Sequence, residues 1–583
     1  MRADAVPFWR ISARSGFSRA KLEKTALVVV VGVVLAYLVL APLALLLLGS
    51  VKESGLPLDP SLTLRHYADT FSDSATYSLI WNSLVFSVGT VLLTSFFGLS
   101  FAWLLERTDT PAKALLRALL IIPMATPPIM LAISWVLLLS PKIGFLNSLV
   151  KVVFGLQHAP LDIYTMPGMI FVQSLSLVPT AFLIFSPAFR NVDPSLEEAA
   201  MISGAGTFAT LRRIVLPVLA PAILGASAFI FIVSLVLFDI PGVLGLPTRI
   251  MVFSSRIFLA THPPAGLPDF GSVGASSIVF LVLMLVASYA YIKMTREAQR
   301  FATITGKAYR PRMLRLGRLK FVSLAYVLLY FFLSVLGPLL LLVWTSLQPY
   351  YSGVSLDALT RLTLDNYSVI MQHPKVALAA TNTLAIAVVS ATAVALLSAL
   401  VSWIVVRSRV KGAHLLDLLA FLPVAIPAVM TGLALTYVYL TLRFIPIYGT
   451  IWIIALAYIT VYISFGTRTT NGVLLQIHAE LEEAAQLSGA SWLKVFRRVT
   501  LPLMTPALVG IWIWVAAHAM RELSAALMLA SGKNVVLSTL LWSFWEGGMV
   551  PPAAAVGVVL TLALIALVIL IQVLAQRAKM NIF

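Results

Sequence analysis

The 583-residue chain contains no cysteine. That absence excludes disulfides, thiolate metal sites and cysteine nucleophiles. Charge is scarce too: 11% of residues are charged, 60% are hydrophobic, and mean hydropathy is +0.97. No soluble domain of this length needs so much apolar surface, so the chain reads as an all-α polytopic membrane protein. The seven histidines are scattered, and none stands four residues from another as a metal-ligating helical pair would. No nucleophile–base constellation is visible, so neither a catalytic nor a metal site is expected. Gly306-Lys307 and Gly532-Lys533 lack the upstream glycine and the following Ser/Thr of a phosphate-binding loop. ATP hydrolysis, if the protein depends on it, belongs to another chain.

The formal charge of +18 could point to nucleic acid, but its placement does not. Basic residues cluster in short segments between apolar runs, as cytoplasmic loops of a membrane protein do. Residues 1–24 are a basic segment expected inside. The first apolar run is too long for a cleavable signal and lacks a cleavage site. A span needs roughly 20 apolar residues, and six fit near 25–49, 79–105, 118–140, 167–189, 219–240 and 272–292. Residues 293–320, with nine Lys/Arg against Glu297, form a basic cytoplasmic linker. Six further spans fit near 321–345, 376–406, 416–440, 448–466, 506–530 and 554–576, and the tail 577–583 returns inside. The repeats therefore run 25–292 and 321–576, with about twelve spans and both termini cytoplasmic.

The two halves are copies. Residues 194–225 and 479–510 align without a gap at an offset of 285, and 15 of the 32 positions are identical. Further up the chain "LRHY" at 64–67 matches "LDNY" at 364–367, Asn82 matches Asn382, and Pro123 and Pro127 match Pro423 and Pro427. The offset there is 300, which places 15 extra residues in the first half. Segment 141–166, rich in Gly and Pro, is the place for them and suits a short interfacial helix. The duplication is parallel, six spans followed by six.

The polar core of each copy reads as a short amphipathic helix. Glu197, Glu198, Glu482 and Glu483 sit in the first turns, where carboxylates favour the helix dipole. Ala199, Ala200, Ala484 and Ala485 leave a flat face, and Gly204 and Gly489 end the helices. One such loop would pass for an ordinary solvated connection; a matched pair needs a reason. The pattern E-A-A, three residues, Gly, nine residues, I-x-L-P resembles the "EAA" loop of permeases of binding-protein-dependent ABC importers. Residues 194–217 fit it throughout, and 479–502 depart once, with Val499 for Ile. The resemblance implies that these helices dock two copies of an ABC ATPase, which carries ATP and Mg on its own chain. It also implies a periplasmic or lipid-anchored solute-binding protein, a bacterial inner-membrane location, and no cofactor on this chain. Trp492, matched by Thr207, is expected to fill a pocket on the ATPase.

Charges inside apolar runs imply a partner or a water-lined path. Asp239 and Glu522 are such residues, and they align if the second copy is two residues shorter before this point. Arg521 adjoins Glu522. Both carboxylates then lie along a translocation path, or each is structural and neutralised by Arg or by backbone donors. Asn82 and Asn382 are expected to bond between helices. A double-length permease is similar to the ferric-iron and thiamine members of the importer group. A carboxylate pair favours a cation, so ferric iron ranks first, thiamine second, and phosphonate or another small solute after them. A secondary transporter, which shares the two-half layout, would need no docking helices. A membrane-embedded enzyme stands further off.

Overall fold

A computed structural model of the chain describes residues 9–263, 268–301, 313–352, 356–408, 410, 412–442 and 444–577. The expected basic segments at 1–8, 302–312 and 578–583 fall outside these residues. Lipid offers no partner for backbone N–H and C=O groups, so the apolar runs close their hydrogen bonds internally as helices. The first repeat contains α1 (Trp9–Ser50), α2 (Ser74–Arg107), α3 (Lys113–Ile121), α4 (Pro128–Leu139), α5 (Phe145–Phe154), α6 (Met166–Arg190), α7 (Pro194–Ile202), α8 (Leu216–Val236), α9 (Phe253–Thr261) and α10 (Phe270–Phe301). The second contains α11 (Leu319–Ser346), α12 (Pro374–Arg407), α13 (Ala413–Phe421), α14 (Ala428–Thr441), α15 (Ile451–Gln476), α16 (Glu480–Leu487), α17 (Leu501–Arg521), α18 (Ser524–Leu529), α19 (Leu537–Glu546) and α20 (Val550–Arg577).

Among the described residues, ten helices are long and apolar enough to cross a membrane, and three further pairs are bent. The ten, with two bent pairs, fill the twelve expected places. The third and ninth spans are not straight: α3–α4 breaks by 94° and α13–α14 by 111°. Proline is the cause. Thr126 and Ile426 precede Pro127 and Pro427 and are held extended, at ψ 124° and 116°, because the proline ring disfavours the helical region for the residue before it. Each break is preceded by a short 3-10 turn holding Pro123 or Pro423.

The third bent pair, Pro241–Thr248 with Phe253–Thr261 at 73°, lies where no span was expected. The second repeat differs from expectation at the same place. Its span ends at Arg521 rather than near 530, and α18 and α19 follow as separate short helices. The extra residues at 141–166 do contain a short helix, α5.

Matching contacts confirm the duplication. Tyr67 bonds Ser50 at 2.7 Å, and Tyr367 bonds Ser346 at 2.8 Å. Asn82 donates to the Met251 carbonyl and Asn382 to that of Val535, while Ser83 and Thr383 accept from the amides of Phe253 and Leu537. The two asparagines thus fasten the N-termini of α9 and α19.

The halves are also interlocked. Helix α1 packs on α10 of its own repeat and on α13 and α14 of the other, and α11 reaches back to α3 and α4. Leu314 pairs with the α2–α3 turn, its amide donating to Arg107 O at 2.8 Å and its carbonyl accepting from Asp109 N at 3.0 Å.

Candidate functional site

The two EAA segments fold alike. After α7 and after α16 the chain reverses at Gly204 and Gly489, with φ of +81° and +82°. Ala205 N–H returns to Ala200 O, and Ala490 N–H to Ala485 O, the 6→1 closure that ends a helix with a left-handed glycine. A Cβ at either glycine would meet nothing within 4 Å. The requirement is therefore conformational and not one of space. A short helix and a five-residue π-helical turn then lead into α8 and α17.

The four glutamates divide into two roles. Glu198 and Glu483 face outward with Ala199 and Ala484, while Ala200 is buried and Ala485 half-buried. Glu197 and Glu482 turn inward, to Arg107 and Arg407 respectively, each at 3.5 Å. These arginines, at the last turns of α2 and α12, had no sequence signal beyond their offset of 300. Between the copies run three matched exposed apolar pairs: Leu196 with Leu481, Ile202 with Leu487, and Phe208 with Leu493. Ile202 and Leu487 are 88% and 90% exposed.

Trp492 does not belong to that exposed set. Its indole stacks on Trp403 at 5.3 Å and donates to Glu23 at 3.1 Å. The side chain expected to enter a partner also joins the second loop to α12 and α1 within this chain.

Asp239, Arg521 and Glu522 all line one cavity of about 390 Å³ between α8, the α13–α14 break, α15 and α17. They are not repeat-mates in the way expected. Helices α8 and α17 keep the 285 offset to their ends, so Glu522 matches Leu237 and Asp239 matches Ser524. The two-residue gap inferred from the acidic residues does not exist. Instead Ser524 Oγ donates to Asp239 Oδ2 at 3.4 Å across the pseudo-symmetry.

Glu522 accepts the amides of Ala525 at 3.1 and 3.2 Å and of Ala526 at 3.4 Å, capping α18. Arg521 feels the charge of Asp239, but its hydrogen bonds go elsewhere. Its guanidinium donates to Met124 O at 2.5 Å and Thr126 O at 3.3 Å, at the α3–α4 break. It also bonds His518 Nε2 at 2.9 Å. His518 Nδ1 lies 2.9 Å from Trp514 O. A carbonyl only accepts and a guanidinium only donates, so the proton sits on Nδ1. Phe465, Trp514 and His518 stack at 3.7 Å spacings along one wall.

A second cavity of about 1140 Å³ lies beyond α18, lined by Arg249, His262, Lys375, Glu546 and apolar residues of α9 and α19. Leu523 and Ser524 face the smaller cavity and Leu527 the larger, so α18 stands between them. Phe238, Phe258 and Trp542 pack beside it, with rings 5.0–5.7 Å apart.

The sequence profile described as "Binding-protein-dependent transport system inner membrane component" matches residues 94–296 and again 391–580. The chain belongs to this family. This permease is 25% identical to the "Ferric transport system permease protein FbpB" of Actinobacillus pleuropneumoniae, over 84% of its own length and 70% of the relative's. It is 26% identical to the "Putative ferric transport system permease protein FbpB 1" of Haemophilus influenzae, over 79% and 71%. A shorter match, 31% over 38% of this permease and 83% of the relative, is to the "Sulfate transport system permease protein CysT" of Salmonella typhimurium.

The cap formed by Glu522 separates two roles for this carboxylate in the permease. Glu522→Ala is expected to lower stability by about 1 kcal/mol, the usual cost of a lost cap. Glu522→Gln keeps one acceptor and is expected to retain more than half of the uptake. Thermal unfolding and uptake measured on both variants decide it: a stable Gln variant without uptake would mean the charge itself is needed.

Proposed function

We propose that this permease carries a ferric-iron solute inward, driven by two ATPase subunits docked on α7 and α16. The observation that carries the ATPase reading is the matched display of Leu196, Ile202 and Phe208 against Leu481, Leu487 and Leu493. Six exposed apolar side chains on two equivalent loops call for two equivalent partners, since lone chains rarely leave such patches uncovered. A binding protein delivers solute to the large cavity, and both termini and both EAA loops face the cytoplasm. Solute then passes α18 into the smaller cavity lined by Asp239, Arg521 and Glu522. ATP and Mg reside on the partner.

The docking test is direct. Ile202→Asp with Leu487→Asp is expected to abolish co-purification of the ATPase, which the native chain should bring down at two copies. Each side chain buried in an interface contributes about 1.5–3 kcal/mol. Retention of the ATPase by the double variant would refute the assignment of this face.

Iron rests on the likeness to the ferric permeases, because both carboxylates are engaged by donors of the chain itself. Glu522 caps α18, Asp239 accepts from Ser524, and no cluster of three His, Asp or Glu among the described residues could hold a bare metal ion. One observation favours a second reading, an oxyanion: Arg249 and Lys375 outnumber Glu546 around the larger cavity. Uptake of radioactive iron and of sulfate by vesicles containing the complete transporter separates the two. Iron uptake without sulfate uptake is the expected result.

A further inference from the structure

Each coupling helix packs mainly on the segments that follow it, short helix and π-helical turn. A buried guanidinium reaches it from a different direction. Arg107, 1% exposed, lies on the last turn of α2. Its Nη2 meets Glu197 of α7 at 3.5 Å and also donates to Val192 O, just past the end of α6, at 2.8 Å. Arg407 does the same for the second repeat. Its Nε stands 3.5 Å from Glu482 of α16, and its Nη2 donates to Leu474 O at 2.8 Å and to Ile477 O at the end of α15. Glu482 also accepts from Thr500 of the π-helical turn at 2.9 Å.

We infer that Arg107 and Arg407 are positioning residues that make each coupling helix move as one body with a membrane span. The inference rests on the reading that ATPases dock on α7 and α16.

The chemistry fits a joint better than a solvated ion pair. Arg107 Nε and Nη1 have no hydrogen-bond partner and Arg407 Nε has only its ion pair with Glu482, so Glu197 and Glu482 are the main charges that balance the two guanidiniums, with Glu106 a lesser one for Arg107. Breaking a buried pair from one side leaves the other charge uncompensated, which the protein resists strongly. A displacement of α7 or α16 therefore drags the arginine rather than leaving it. Each arginine stands in the last turn of its span, and α2 lies along α6 and α8 as α12 lies along α15 and α17. Motion at the loop thus enters three spans at once. The planar fork matters, since one group must meet a carboxylate and a carbonyl together, which the point charge of lysine does poorly.

The experiment uses the full chain in proteoliposomes with its ATPase and binding protein. Glu197→Gln with Glu482→Gln is expected to keep the ATPase bound and basal hydrolysis within about twofold. Hydrolysis stimulated by loaded binding protein, and uptake per ATP, should each fall about tenfold, a typical coupling free energy. Glu197→Asp with Glu482→Asp, which keeps the charge on a shorter arm, serves if the Gln protein does not insert, and should show an intermediate loss.

The cysteine-free sequence allows a second readout. Spin labels at Ser203→Cys and Phe96→Cys report the distance between coupling helix and span. It should stay constant between nucleotide-free and ATP-bound states in the native background and change in the Gln background. Native stimulation and an unchanged distance in the Gln protein would overturn the inference alone. Absence of ATPase from the native preparation would overturn the docking reading and this inference with it.

Discussion

Replacing Gly204 and Gly489 together by valine is expected to uncouple the permease while leaving it in the membrane. Both glycines sit at φ near +80°, in the left-handed region. An L-residue there costs roughly 1–2 kcal/mol, and β-branching makes it worse. Open space around both positions removes steric crowding as an explanation, so the whole effect is on the turn. The capped form, in which Ala205 and Ala490 close the helix ends, should fall about tenfold in population per site. Stimulated ATPase activity and uptake measure this, with surface expression as the control for insertion. Gly204→Asn and Gly489→Asn, which tolerate the left-handed region better, should recover much of the loss. Equal loss in the Asn and Val proteins would show that the backbone conformation is not the cause.

The second large effect is expected at Arg521. Arg521→Met keeps the length and apolar stem but removes the donors to Met124 O, Thr126 O and His518 Nε2. Hydrogen bonds from a charged group contribute about 1.5–3 kcal/mol, and here they satisfy carbonyls exposed by the α3–α4 break. Inside a membrane those carbonyls have no water to turn to. Uptake is expected to fall by one to two orders of magnitude, about the factor those energies imply. ATPase co-purification should persist, because the loops proposed to dock it lie elsewhere. If Arg521→Met transports at the native rate, the break is held by its prolines alone.

These two sites differ in how far the sequence disclosed them. Gly204 and Gly489 were legible because the motif recurs in register and a terminal glycine has one conformational meaning. Arg521 was visible as a charge in an apolar run, but its partners were not. Met124 and Thr126 lie nearly 400 residues away, and no periodicity marks a carbonyl freed by a bend. The bends themselves were half disclosed: Pro123, Pro127, Pro423 and Pro427 were recognised as matched, yet hydropathy counts a broken span and a straight one alike.

Asp239 and Glu522 misled because acidity was aligned in place of backbone register, and π-helical turns and helix lengths hold that register fixed. The inward turn of Glu197 and Glu482 was hidden for a related reason. Side-chain direction on a helix of nine or eight residues follows what it packs against, and Arg107 and Arg407 carry no sequence signal beyond their offset. Trp492 has contacts that the sequence did not disclose. An aromatic in a polar loop signals a contact, and here Trp403 of α12 and Glu23 of α1 supply one within the same chain.

The interlock of α1 and α11 gives the duplication a mechanical meaning. Glu23, near the start of the apolar part of α1, meets the second coupling loop, and Leu314, just before α11, meets the turn that holds Arg107. Each repeat thus wears the leading helix of the other like a clasp, and the covalent connection between them adds little that the clasp lacks. A permease cut between its repeats should stay one particle in detergent, and two half-genes should rebuild it. The same embrace makes a tilt in one half felt by the other, so a push on either loop would reach both repeats.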